Sequence, residues 1–235
     1  MIQATKRFYK RAEPAEVEGG YGIFLDGRPV RTPGRRELAL PSWPLATALA
    51  TEWETQEEQL DPEAMPLTAL AFTARDVVAP RRPEVVDEIV AYSETDVLCY
   101  RASYPDNLAQ RQQEVWQPLI DWMASGLGAP LEVTTGIQVV EQPATSRQRL
   151  RKAVEAYDDL ALTSLSSAVS TSGSLVIALA LCEKQISAEE AFAAAELDET
   201  YEMEQWGWDR EAQERRDRLL AELQNARRFL ELMKA

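Results

Sequence analysis

Near residue 41 the chain stops alternating and begins to repeat at helical spacing, and that change constrains the fold more than any single motif. Before it, Tyr21, Ile23 and Leu25 share one face of a strand, with Phe24 alone giving the other face bulk. Asp26-Gly27 follows, a two-residue hairpin signal, because both positions of a type I′ turn need positive φ. The return strand is Arg28-Pro29-Val30-Arg31-Thr32, and Pro29, lacking an N–H, assigns it to a sheet edge. Phe8-Tyr9-Lys10-Arg11 and Glu37-Leu38-Ala39-Leu40 read as further short strands. After it, Ser42 can cap a helix with Pro44 just inside, and Ala46, Leu49, Ala50 and Trp53 recur on one face.

The remaining chain is predicted to be mainly helical. Pro66 opens a helix carrying Leu67, Leu70, Ala71, Ala74 and Val78, with Pro80 and Pro83 expected to stop it. Val85, Val86, Ile89 and Val90 mark another, and Leu98-Cys99-Tyr100 reads as a short strand or an extended link. A long helix follows Pro105, with Val115, Trp116, Leu119, Ile120 and Met123 at helical spacing; Leu131 to Val140 is expected to form a crossover strand. Helices are predicted over 147–157, 159–171, 174–183 and 188–195, the last behind a Ser187/Glu190 capping box. A short acidic helix then runs from Asp198 to a break at Trp206-Gly207, and Asp209 can cap a long final helix. That helix carries a heptad seam (Ala212, Arg216, Leu219, Leu223, Ala226, Leu230, Met233) that packs on its own domain or meets a partner. The fold class is α+β. A β-rich unit with its first helices is expected over 1–80, and a mainly helical domain carrying the partner-binding surface over 81–235.

Composition narrows the chemistry. The 235 residues include no histidine and two cysteines. That excludes Ser-His and Cys-His catalytic pairs, imidazole bases, His-ligated zinc and four-thiolate metal sites. Cys99 and Cys182 sit among apolar neighbours and read as buried thiols. The longest apolar run, Leu175 to Cys182, spans eight residues, against the roughly 20 of a membrane helix. With no signal or import leader legible at the start, the chain is expected to be cytoplasmic, uninserted in membranes and monomeric alone. Residues 1–40 carry a balance of +3 and the remaining 195 a balance of −17, a field that repels nucleic acid and favours basic or neutral partners. The N-terminal basic clusters read as charged strand edges.

Candidate sites are few. No phosphate-binding glycine loop occurs. The serine-rich stretch Ser164 to Ser174 has no base nearby except Lys184, and reads as helix capping and close helix packing. Glu94 and Asp96 can act as acid and base or hold Mg²⁺; alternatively one caps a helix end while the other pairs with Arg101. The densest acidic patch is Glu196, Asp198, Glu199, Glu202 and Glu204, interleaved with Met203 and followed by Trp206 and Trp208. Acids around apolar anchors can form a docking site for a partner of basic and apolar surface, or the tryptophans can pin the final helix.

Read together, these blocks resemble one family. They comprise Arg7-Phe8-Tyr9-Lys10, Leu25 to Pro33, Glu52-Trp53, Met65-Pro66-Leu67-Thr68, Thr73-Ala74 with Asp76, and Tyr92 to Arg101. Trp116, Pro118-Leu119, Trp122, Leu197-Asp198-Glu199 and Glu204-Gln205-Trp206-Gly207 with Asp209 complete the set. In this order, over nearly the whole chain, they resemble the ATP synthase F(1)-sector assembly chaperones of the type that guards the alpha subunit. The resemblance implies a β-rich unit ahead of a helical domain, no enzymatic activity and no cofactor or metal. It also implies a chaperone that covers the unassembled alpha subunit, without ATP, until the beta subunit replaces it. It places partner binding on Glu204, with Trp206 and Met203 as apolar contacts and Gly207 and Asp209 shaping the turn. Glu202 stands where family members often carry glutamine. A bacterial, cytoplasmic member is implied, with mitochondrial matrix relatives. The competing reading is a Mg²⁺-dependent carboxylate enzyme built on Glu94 and Asp96.

Overall fold

Asp26 and Gly27 turn with φ of 47° and 79°, the left-handed pair that a type I′ hairpin requires. They join β2 (Gly20–Leu25) to β3 (Arg28–Pro29) in a computed structural model that describes residues 6–136, 138–207 and 209–235. β1 (Ala12–Val17) pairs antiparallel with the other side of β2, setting Ala12 opposite Leu25 and Val17 opposite Gly20. The order is β1-β2-β3, so Pro29 lies on an edge as its missing N–H demands. Three strand expectations are corrected, the return strand spanning Arg28–Pro29 rather than Arg28 to Thr32. The first strand begins at Ala12 rather than Phe8, while Glu37 to Leu40 supplies only single bridges, Arg31 to Glu37 and Tyr21 to Leu40.

Chain proximity separates two compact units. One holds the chain through Arg82 with Asp159–Ser164 and Asn225–Ala235; the other holds Pro83–Asp158 and Leu165–Gln224. In the first, α1 (Trp43–Glu54) starts at Ser42, whose side chain accepts from the Leu45 N–H. Its Leu45, Ala46, Leu49, Ala50 and Trp53 pack in one core with Ile23, Leu25 and Phe229. Glu52 leaves that face and caps α2 (Pro66–Thr73), accepting from the Leu67 and Thr68 N–H groups, each at 2.8 Å. Asp76 accepts from Thr32 Oγ1 and the Gly34 N–H, both at 2.7 Å, which fastens the hairpin's return strand.

Pro80 and Pro83 do not end the helical run as expected. A π-helical turn (Ala74–Val78) leads through a 3₁₀ turn (Ala79–Arg81) into α3 (Arg82–Ala91). Each proline falls in the first turn of a new segment, where no backbone N–H is needed.

The second unit is built from α4 (Asp106–Gly126), α5 (Ala144–Glu155), α7 (Leu175–Cys182), α8 (Ala188–Ala195) and α9 (Leu197–Trp206). Most of α6 (Asp159–Ser172) and α10 (Arg210–Met233) joins them, the remainder belonging to the first unit. Trp116, Leu119, Ile120 and Met123 of α4 are buried, whereas Val115 stays 38% exposed. Trp116 donates its indole N–H to the Ala194 carbonyl at 2.8 Å. Every residue of α7 is buried, so this helix is apolar on all sides rather than along one stripe. The expected strand over Leu131 to Val140 reduces to β5 (Thr134–Thr135), parallel to β4 (Tyr100–Arg101), among the described residues. The α10 seam turns inward: Arg216, Leu223, Ala226 and Leu230 are buried, joined by Phe229.

Candidate functional site

Asp96 and Glu94 serve separate tasks. Asp96 is fully buried and accepts from the Leu98 N–H at 3.2 Å, the Val176 N–H at 3.0 Å and Ser174 Oγ at 2.8 Å. Ser174 Oγ in turn accepts from the Ile177 N–H at 3.0 Å, so carboxylate and hydroxyl together satisfy the opening turn of α7. Glu94 lies at the surface and pairs with Arg147 at 2.9 Å, not with Arg101. Both oxygens of Asp96 are thus committed to α7 and its own turn, and the pair does not form the acid–base or Mg²⁺ site considered from sequence. Arg101 is buried on the face of Trp116 instead, donating Nε to the Leu98 carbonyl at 2.8 Å. Burial also pushes the Cys99 thiol up to about 12, which suits an inert core residue.

Burial raises the carboxyls of Asp96, Glu52 and Glu196 above their ordinary range. Each holds its proton more tightly folded than unfolded. The stability this confers is complete below the ordinary values, 3.8 for Asp and 4.5 for Glu, and is lost as pH rises through the higher folded values. From neutrality down toward those ordinary values, thermal melts should therefore show rising stability. A steady fall across that interval would contradict it.

The acidic segment lies on α9. Most of its carboxylates are answered within the second unit. Glu196 meets Arg216 at 3.2 Å and Arg215 at 3.4 Å, Asp198 accepts from Gln112 at 2.7 Å, and Glu199 pairs with Arg215. Glu204 pairs with Arg111 of α4 at 2.6 Å, both side chains remaining partly exposed. Arg111 also stacks over Tyr201, 5.4 Å from its ring centroid. Glu202 makes no ion pair among the described residues.

The candidate residues divide by helix face. Trp206, the last residue of α9, is 89% exposed. Glu202 precedes it by one turn and is exposed on the same side. Glu204 sits two positions from Trp206, on nearly the opposite side, facing Arg111. Met203 is buried and supports α9 from within rather than offering an apolar contact at the surface. Gly207 ends the helix at φ 102°, a conformation that side-chain-bearing residues rarely adopt, and its N–H bonds to the Met203 carbonyl. Asp209 then accepts from the Ala212 N–H at 2.8 Å and so caps α10. Trp208 lies outside the described residues. Arg111 escaped the sequence reading because its partner is 93 positions away, and no local pattern joins them. Beside it runs a shallow apolar groove of about 290 Å³ lined by Val115, Phe192, Leu197 and Thr200.

An exposed tryptophan, an unpaired acid on the same face and a carboxylate held by a displaceable arginine suit the docking of another protein. The comparisons with known proteins agree with that class. The family described as ATP12 chaperone protein matches residues 6–124. The crystal structure of Atp12 from Paracoccus denitrificans superposes with a TM-score of 0.92 at 40% identity, covering 97% of this chain and 98% of that one. A structure from Agrobacterium tumefaciens gives 0.93 at 40% identity, over 97% and 86% of the two chains. The mitochondrial atp12 protein of Schizosaccharomyces pombe is 24% identical over 214 residues, 86% of this chain and 74% of its own length. The chain belongs to the ATP12 chaperone family, the assembly-chaperone family that its motifs resemble. Its α+β fold, a small N-terminal sheet followed by a larger helical part, is that of the Paracoccus structure.

Proposed function

We propose that this protein binds the unassembled alpha subunit of ATP synthase and covers its assembly surface until the beta subunit takes its place. The observation that carries this reading is Trp206, 89% exposed at a helix end shaped by Gly207, with Glu202 exposed on the same face and Glu204 held by Arg111 on the other. Membership of the ATP12 chaperone family supports it. An exposed subunit interface is apolar and prone to self-association, and covering it lowers the concentration available to aggregate. No ATP is needed for release, because beta displaces the chaperone by forming the more extensive contact. The protein acts in the cytoplasm, a reading supported by its 40% identity to bacterial relatives. Among the described residues, no helix is long and apolar enough to cross a membrane.

Light scattering by isolated alpha subunit is the direct test. Stoichiometric amounts of this protein should suppress the rise in scattering without nucleotide. Unchanged scattering, or suppression only when ATP is present, would overturn the reading.

A further inference from the structure

The first unit holds a second, separate cleft that the α9 surface does not explain. It measures about 570 Å³ and is lined by Phe8, Tyr9, Val30, Trp53 and the guanidinium-bearing Arg28 and Arg31. Its walls are fixed in place. Arg7 donates to the Tyr9 carbonyl at 3.1 Å and the Lys10 carbonyl at 2.9 Å, and the Tyr9 hydroxyl donates to the Trp53 carbonyl at 2.6 Å. Asp26, which also lines the cleft, spends its carboxylate on the N–H groups of Lys10 and Arg11, both at 3.0 Å. Phe8, held between these anchors, is nevertheless 70% exposed at the rim.

A large ring kept in water by a rigid backbone is costly unless something covers it. A further observation specifies the cover. Arg28 makes no ion pair among the described residues, and Arg31 is bound only to the exposed Glu37, at 2.9 Å. Asp26 keeps its negative charge with its oxygens turned to backbone N–H groups, so Arg28 is the cleft's guanidinium without an ion pair, within a basic stretch that carries +3 over residues 1–40.

We propose that this cleft docks an acidic protein segment, in which a large apolar side chain covers Phe8 and neighbouring carboxylates meet Arg28 and Arg31. The cleft is opposite in charge to the α9 surface, so the segments that the two surfaces suit differ in sign. The inference stands independently of what docks at Trp206.

The probe is a blocked Gly-Phe-Asp-Glu-Gly peptide titrated into ¹⁵N-labelled protein. Saturable shifts should appear at Phe8, Val30 and the Trp53 indole N–H, and Trp206 should stay still. Replacing the peptide's two acids by their amides, or its phenylalanine by alanine, should weaken binding by about tenfold each. Arg28→Glu should do the same, with shifts elsewhere in the spectrum unchanged, and added salt should weaken the parent peptide more than the amide. Absence of saturable shifts, equal binding of the amide peptide, or shifts confined to Trp206 would each overturn the proposal. So would the same shifts produced by inorganic phosphate alone, by raising protein concentration without peptide, or by deleting residues 1–5.

Discussion

Asp96→Ala should lower the stability of the second unit by about 3 kcal/mol, one of the largest losses available to a single side chain here. The loss follows from where Asp96 sits rather than from its charge. α7 is buried along its whole length, so water cannot reach its first N–H groups, and the carboxylate together with Ser174 is their replacement. Removing it strands the Val176 N–H, the Leu98 N–H and the Ser174 hydroxyl at once. The alanine also spares the cost of burying a carboxylate, which keeps the net loss below the sum of three orphaned groups. Asp96→Asn should fall between the two, since one amide oxygen still accepts while the amide nitrogen faces donors. Urea denaturation with an unchanged slope would read the difference. If both variants unfolded within about 0.5 kcal/mol of the parent, the capping role would be wrong.

Glu204→Lys should weaken protection of the alpha subunit by at least about tenfold while leaving the fold nearly intact. An exposed pair of this kind contributes about 1 kcal/mol or less, so breaking it should barely move the melting curve. At the surface, however, the change sets a lysine against Arg111 and reverses the sign presented to a basic partner. The charge swap, Glu204→Lys with Arg111→Glu, separates the two roles. It rebuilds the internal pair but not the acid at position 204, so protection should remain lost. Protection restored by the swap would mean that the pair only braces α9 on α4, and Glu204 would leave the binding site.

Features determined by neighbouring residues were legible before the structure. The Asp26-Gly27 turn, the Ser42 cap, the Ser187/Glu190 capping box and the Gly207 break each follow from local backbone chemistry. β1 was not legible, because Pro14 and two glutamates hide a strand whose pairing comes from β2 rather than from its own propensity. Phe8 and Tyr9 resemble a strand by composition, yet are held by Arg7 and Asp26 in an unpaired run. At the candidate site, the break at Gly207 and the cap at Asp209 follow from local chemistry, whereas the exposure of Trp206, which could equally have pinned the last helix, did not. Met203 faces inward because its position on the α9 face is settled by packing. The ties that decide most, Asp96 to Ser174 and Glu204 to Arg111, join residues 78 and 93 positions apart, beyond any periodicity.

The burial of α7 also makes it a clock. Its amide protons cannot exchange with solvent through fraying at a surface, since no face of the helix is at one. Exchange at Leu179 and Ala180 must then await the cooperative opening of the whole second unit, and their rates measure that unit's full free energy of unfolding. A partner seated at Glu204 and Trp206 would slow those same amides by mass action from a distance, in proportion to how tightly it is held. Deuterium uptake in the apolar octet of α7 would thus report occupancy of the acidic α9, with no label placed near the binding surface.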